Sequence, residues 1–171
     1  MNPECIVVLV HTDSDWAGCA RTRKSTSCTC ITIGGCLILQ SATTQAIIAL
    51  SSGEAEFHAL VKSCARGRGI VSLLADFGFA STLKINTDSN AAIGITSRRG
   101  VGKVRHLHTP LLWVQAALES GSFALAKVGG KSNCADLATK HLAEAEMLKC
   151  LTFLNCRLET GSADAALRAA V

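Results

Sequence analysis

"VLVHTDSDWAG", residues 8–18, is an apolar run that stops in two aspartates, Asp13 and Asp15, with Trp16 directly behind them. Residues 5–13, "CIVVLVHTD", read as a mostly buried strand. A carboxylate at the end of such a strand is either a turn residue or part of a site. The remainder of the chain decides between the two.

Residues 14–25 are polar and basic, as a loop should be. "STSCTCITIGG" alternates β-branched residues and closes on Gly34-Gly35, a hairpin signal, and "CLILQSATTQ" returns as a third strand. The period then changes. Residues 51–78 read as one long helix, with Phe57, Leu60, Val61, Cys64, Val71 and Leu74 as its apolar stripe. Ser51 followed by Glu54 is a capping box. Gly67 and Gly69 each weaken the helix by roughly 1 kcal/mol against Ala, so they suggest a close approach to the sheet. "LKINTDSN", residues 83–90, is a fourth strand ending in another aspartate, and "AAIGITS" is a short helix. "TPLLWVQAALESG" reads as a helix with Pro110 in its first turn. "SFALAKVGG" is a fifth strand, "SNCADLATK" a short helical turn, and "EAEMLKCLTFLN" a terminal helix. A helix between strands three and four requires a crossover. The expectation is an α/β domain over residues 1–156: a mixed five-stranded sheet, three antiparallel strands then parallel additions, flanked by helices, with residues 157–171 as a frayed tail.

The 171 residues suit one domain with a full core. Hydrophobic residues make up 49% but aromatics only 4%, so that core must be built from Ala, Val, Ile, Leu and Cys. The nine cysteines are odd in number and contain no C-x-x-C pair; they are expected to be reduced thiols acting as small apolar residues. Cys28 and Cys30, two apart in a strand, should share one face. No apolar run reaches membrane-span length, and "MNPECIVVLV" lacks the basic start of a signal peptide. An intracellular protein, cytoplasmic or nuclear and without a membrane partner, is therefore expected.

The net charge is +4, and its distribution says more than its size. No acidic residue lies between Trp16 and Gly53, where Arg21, Arg23 and Lys24 cluster, or between Ser89 and Leu118, where Arg98, Arg99, Lys103 and Arg105 cluster. Basic clusters free of carboxylates suit a nucleic-acid backbone. The carboxylates gather elsewhere: Asp13 and Asp88 close strands, Glu54 and Glu56 open the long helix, and Asp136 follows the fifth strand. In a partly parallel sheet these places meet beyond the strand ends. Clustered carboxylates are costly unless cations neutralise them, and hard oxygen ligands suit Mg²⁺ or Mn²⁺.

The blocks "HTDSDWAG…TRKSTS", "SSGEAEFHAL", "NTDSNAAI", "VRHL" and "NCADLATK" stand in an order that resembles the ribonuclease H domain of copia-type LTR retrotransposon polyproteins, over about residues 8–155. The resemblance implies a ribonuclease H-like fold and hydrolysis of RNA paired to DNA by two divalent ions. It implies Asp13, Glu56, Asp88 and Asp136 as the catalytic and metal-binding set. Asp15 then falls in the loop, and Glu54, about 200° round the helix from Glu56, keeps its capping role. Arg105 and His106 match a "[KR]-H" step and, with Arg98, Arg99 and Lys103, are the residues expected to hold the hybrid; His106 or His108 is a candidate for aiding product release. The reverse transcriptase domain of the same polyprotein is the implied partner. Three departures stand out: "LQSATTQ" replaces a stretch resembling "SWSSKKQ", Cys28 stands where glycine is common, and Pro110 interrupts a helical segment. Two other classes use the same residues. One is a decayed module that binds nucleic acid without cutting, the other an integrase- or resolvase-like nuclease acting on DNA.

Overall fold

The central strand organises everything else. β1 (Ile6–Asp15) pairs antiparallel with β2 (Thr26–Ile33) on one side and parallel with β4 (Ser81–Thr87) on the other. β3 (Cys36–Thr44) and β5 (Ala124–Lys127) form the two edges, giving the order β3-β2-β1-β4-β5. The mixed five-stranded sheet expected from the sequence is the one observed. This computed structural model describes residues 5–100, 102 and 109–158. Residues 159–171, most of the expected tail, lie outside the described residues.

Crossing from β3 to β4 is α1 (Ser52–Asp76), with α2 (Asn90–Thr96), α3 (Trp113–Glu119) and α4 (Glu144–Phe153) later in the chain. The Ser51 hydroxyl accepts the Glu54 N–H at 3.2 Å, as a capping box requires. The return bond, however, reaches one residue further back, since Glu54 Oε2 accepts the Leu50 N–H at 2.7 Å. The single helix expected around Pro110 begins instead as a 3-10 turn, Thr109–Leu112, before α3. Leu112 gives α3 no side-chain cap. Two strand ends also move. β1 runs two residues past Asp13, because Asp15 still pairs with Thr26 and its carboxylate accepts the Thr26 N–H. β4 stops at Thr87, so Asp88 lies just past the strand rather than ending it.

Alternation along the strands divides the core in two. On one face Val8, Val10, Ile31, Leu83 and Ile85 pack with Phe57, Leu60, Val61 and Cys64 of α1. On the other, Cys28 and Cys30 pack with Cys134, Ala135, Cys150 and Leu154, so the two strand cysteines do share a face. His11 points to that second face. Its Nε2 lies 3.1 Å from the Asn86 amide nitrogen, and its ring meets Phe153 edge-on at 5.2 Å. Burial, aided by Lys84, lowers its pKa to about 4, so it is a neutral core residue.

The two glycines of α1 differ in what surrounds them. A Cβ on Gly67 would lie 2.6 Å from a Leu83 methyl and 3.1 Å from one of Val10, whereas one on Gly69 would meet nothing within 4 Å among the described residues. Gly67 therefore marks the close approach of helix to sheet, and Gly69 does not. Gly67→Ala should destabilise the fold by about 1–3 kcal/mol through overpacking. Gly69→Ala should stabilise it by about 0.5–1 kcal/mol through helix propensity. Denaturant unfolding of both variants checks this; shifts of the same sign would contradict the packing described.

Candidate active site

Asp13, Glu56 and Asp88 each offer one carboxylate oxygen, and the three oxygens lie within 4.8 Å of one another. Each arrives by a different route. Asp13 sits on β1 beyond the last residue paired with β4, His11, and is 1% exposed. Asp88 lies in the turn from β4 to α2, where the Ser89 hydroxyl caps Ala92 N–H at 3.1 Å. Glu56 comes from the second turn of α1, which packs tightly on α2: a Cβ on Gly53 would lie 2.7 Å from that of Ala91. The missing side chain at Gly53 lets the two helix starts, and with them Glu56 and Asp88, come together.

Asp136 does not join this trio. It lies in a 3-10 segment, Cys134–Ala138, and is linked to the trio through Lys140, whose Nζ is 2.8 Å from Asp136 Oδ1 and 3.6 Å from Asp13 Oδ1. The segment is fastened to β1 by Asn133. Its buried amide donates to the Thr12 carbonyl at 3.0 Å and accepts the Ala135 N–H at 3.3 Å. The Thr139 hydroxyl donates to Asp13 Oδ2. Asn133, Thr139 and Lys140 are site residues that sequence reasoning missed. All three stand in the block "NCADLATK", and the i,i+4 spacing of Asp136 and Lys140 was the available signal.

Asp15 and Glu54 are turned to other tasks. Asp15 serves the start of β2 and fills the space over Gly18, where a Cβ would lie 2.1 Å from its Oδ2. Glu54 holds Leu50 N–H and lies 3.8 Å from His58. Arg98 and Arg99 come after α2 in a turn stapled by Gln115, which bonds the Ile95 carbonyl and both backbone groups of Gly100. Arg99 pairs with Glu119 on the surface, and Arg98, half-buried, lines one cleft with Gly53, Glu54 and Ala91. Lys103, Arg105, His106 and His108 lie outside the described residues.

The electrostatics of the trio are strained without a cation. Burial, then Asp136 and Asp88, raise the Asp13 pKa to about 6, against the Thr139 bond and Lys140, which pull it down. Burial, then Asp13 and Asp88, raise Glu56 to about 8, partly opposed by the Ser14 backbone and Lys140. Glu56 Oε2 is buried and lacks a hydrogen-bond partner among the described residues. Burial works against the Lys140 charge, but its bond to Asp136 and the nearby Asp13 and Asp88 carboxylates outweigh it and raise its pKa. An orphaned carboxylate oxygen among three oxygen ligands fits a hard divalent cation such as Mg²⁺ or Mn²⁺.

This arrangement fixes a pH dependence. The folded, metal-free chain holds protons on Asp13 and Glu56 that the unfolded chain, near the ordinary values of 3.8 and 4.5, has released. Their contribution to stability is fully present below about pH 4 and is lost as pH rises through about 6 and about 8. Unfolding in chelator from pH 5 to 8.5 should show the unmodified chain losing stability relative to Glu56→Gln, and Mg²⁺ restoring it most at high pH. Parallel curves for the two proteins, with and without Mg²⁺, would contradict this.

No family model matches the chain. An uncharacterized mitochondrial protein of Arabidopsis thaliana is 45% identical over 53 residues, covering 31% of this chain and 22% of that protein. The retrovirus-related Pol polyprotein from transposon TNT 1-94 of Nicotiana tabacum is 26% identical over 132 residues, covering 76% of this chain and 10% of the polyprotein. The chain thus spans about a fifth of the length of one curated relative and a tenth of the other. Among solved structures, the N-terminal RNase H domain of a Mycobacterium tuberculosis protein, fused to maltose-binding protein, aligns over 97% of this chain and 99% of its own, with TM-score 0.52 and 17% identity. The prototype foamy virus protease-reverse transcriptase aligns over 88% of this chain and 20% of its own, with TM-score 0.50 and 9% identity. At such identities the structural likeness concerns the fold alone. The chain has a ribonuclease H-like fold, and its sequence is similar to a segment of a retrovirus-related Pol polyprotein.

Proposed function

We propose that the chain hydrolyses the RNA strand of RNA/DNA hybrids with divalent-metal help, as the ribonuclease H module of a copia-type reverse transcriptase. The observation that carries this reading is the meeting of Asp13, Glu56 and Asp88 oxygens within 4.8 Å at the end of the parallel strand pair. These three residues would hold the cation; Asp136 and a second ion are what the resemblance alone implies. Bound there, Mg²⁺ or Mn²⁺ supplies Lewis-acid activation of the phosphorus and of the attacking water. In the reaction a P–O bond to water forms and the P–O bond to a ribose oxygen breaks, that oxygen leaving with a proton. Thr139 fixes the Asp13 carboxylate, and Asn133 holds the strand backbone beside it. The reverse transcriptase domain of a larger polyprotein is the proposed partner, and an intracellular site of action the proposed location.

Asp88→Asn preserves shape but removes one negative charge from the trio. It should cut hybrid cleavage roughly 100-fold or more, while Asp15→Asn should change it little, since Asn can still accept the Thr26 N–H. Cleavage of a labelled hybrid in Mg²⁺ and in chelator tests both. Equal losses would mean that Asp15 belongs to the site. Inactivity of the unmodified chain would favour the second class of function, binding without cutting.

Arg98 and Arg99 are the described members of the proposed hybrid-binding set. Reversing both charges should weaken binding for all sequences alike and lower the slope of log affinity on log salt by about 2. An unchanged salt slope would leave the segment as a solvated turn, with Arg99 serving only Glu119.

A further inference from the structure

Reading Asp13, Glu56 and Asp88 as a cation site leaves one charge inside that site without a task. The Lys140 ammonium lies between two carboxylates, 2.8 Å from Asp136 Oδ1 and 3.6 Å from Asp13 Oδ1. The Lys140 N–H bonds the Asp136 carbonyl at 3.0 Å, closing a helical turn that stacks the two side chains on one side. That turn is in turn fastened to β1 through Asn133, directly beside Asp13. Asp136 is itself largely buried, with its side chain 11% exposed.

We infer that the Lys140 ammonium takes the place of a second divalent cation between Asp13 and Asp136, so that the site binds one divalent ion, at Asp13, Glu56 and Asp88. The inference rests on the proposed reading of that trio as a metal site. Three observations carry it. Asp136 is absent from the set of oxygens close enough to share an ion with the other three. Its Oδ1 is already taken by a charge-assisted bond of ordinary length. The lysine also opposes a neighbouring dication directly, because the two cations would be pressed against each other in a partly buried site.

The test is the number of Mn²⁺ ions bound by the intact chain, measured by calorimetric titration and by the electron spin resonance of the bound metal. The unmodified protein and Lys140→Arg should bind one ion with an isolated-ion spectrum. Lys140→Met keeps the length of the stem but removes the charge, and it should bind two, close enough to give a spin-coupled spectrum. Lys140→Gln serves the same purpose if the methionine variant does not melt cooperatively. Two ions in the unmodified protein would overturn the inference and leave the trio as a metal site. One ion in both uncharged variants would overturn it as well. No ion in the unmodified protein, or equal affinity in Asp88→Asn, would remove the trio reading and this inference with it.

Discussion

A carboxylate buried on the central strand is the constraint that the rest of this structure answers to. Asp13 is flanked by β2, covered by the turn that carries Asp136, and almost without solvent. Ionising it there is unfavourable, and Asp136 and Asp88 make it more so. The surroundings compensate only in part: one hydroxyl from Thr139 and one ammonium at 3.6 Å from Lys140. What remains uncompensated is held in place by packing on both faces, the Phe57–Leu60 side of α1 on one and the cysteine-lined cluster on the other. Those apolar layers do not stabilise the carboxylates. They stabilise a backbone that leaves the carboxylates nowhere else to go, which is how the cluster can be held together and the chain still fold.

The same backbone sets the phase of Glu56. A helix turns about 100° per residue, so a shift of one position at the start of α1 would swing its carboxylate away from Asp88. Two devices fix that phase. Ser51 and Glu54 lock the first turn through Glu54 N–H and Leu50 N–H. Gly53 then sets the helix against α2 at a distance no side chain would allow. A buried hydroxyl chain continues the anchoring along the helix. Ser63 bonds Thr12 at 2.9 Å and Thr29 at 2.7 Å, pinning α1 to the two strands that flank the site. Capping, close approach and polar pinning thus act on one helix for one purpose.

Much of this is legible in the sequence because the signals are local. The period of two in "STSCTCITI", the change to helical spacing after Ser51 and the strand-end aspartates are enough to bring Asp13, Glu56 and Asp88 to one end of a mixed sheet. Separating Glu54 from Glu56 needs only helix geometry. What escapes depends on partners distant in the chain. Asp15 stays in the strand because Thr26 pairs with it, eleven residues away. Arg99 meets Glu119 across a turn whose shape Gln115 dictates, and nothing near Arg99 announces either. The cysteines of β2 can be assigned a common face, but Cys134 and Cys150, which fill the space above them, arrive from beyond β5. Lys140 is the instructive case. Its spacing from Asp136 was visible, yet its closeness to Asp13 depends on Asn133 reaching the Thr12 carbonyl, a contact across 121 residues.

The site therefore has two parts of different origin. β1, α1 and the β4–α2 turn supply three carboxylates on elements locked by the main core, and their mutual geometry cannot change without moving the sheet. Asp136, Thr139 and Lys140 come on one short turn held by Asn133 and by the smaller, cysteine-lined cluster. In the proposed reading the first part holds the cation. The second determines how much negative charge faces it, because Asp136 and Lys140 enter together with opposite signs and Thr139 orients the Asp13 carboxylate that Lys140 faces. A change confined to this turn could retune the charge of the site while leaving the trio untouched. A change in the trio would act on Asp13, which both parts use, and so on both at once.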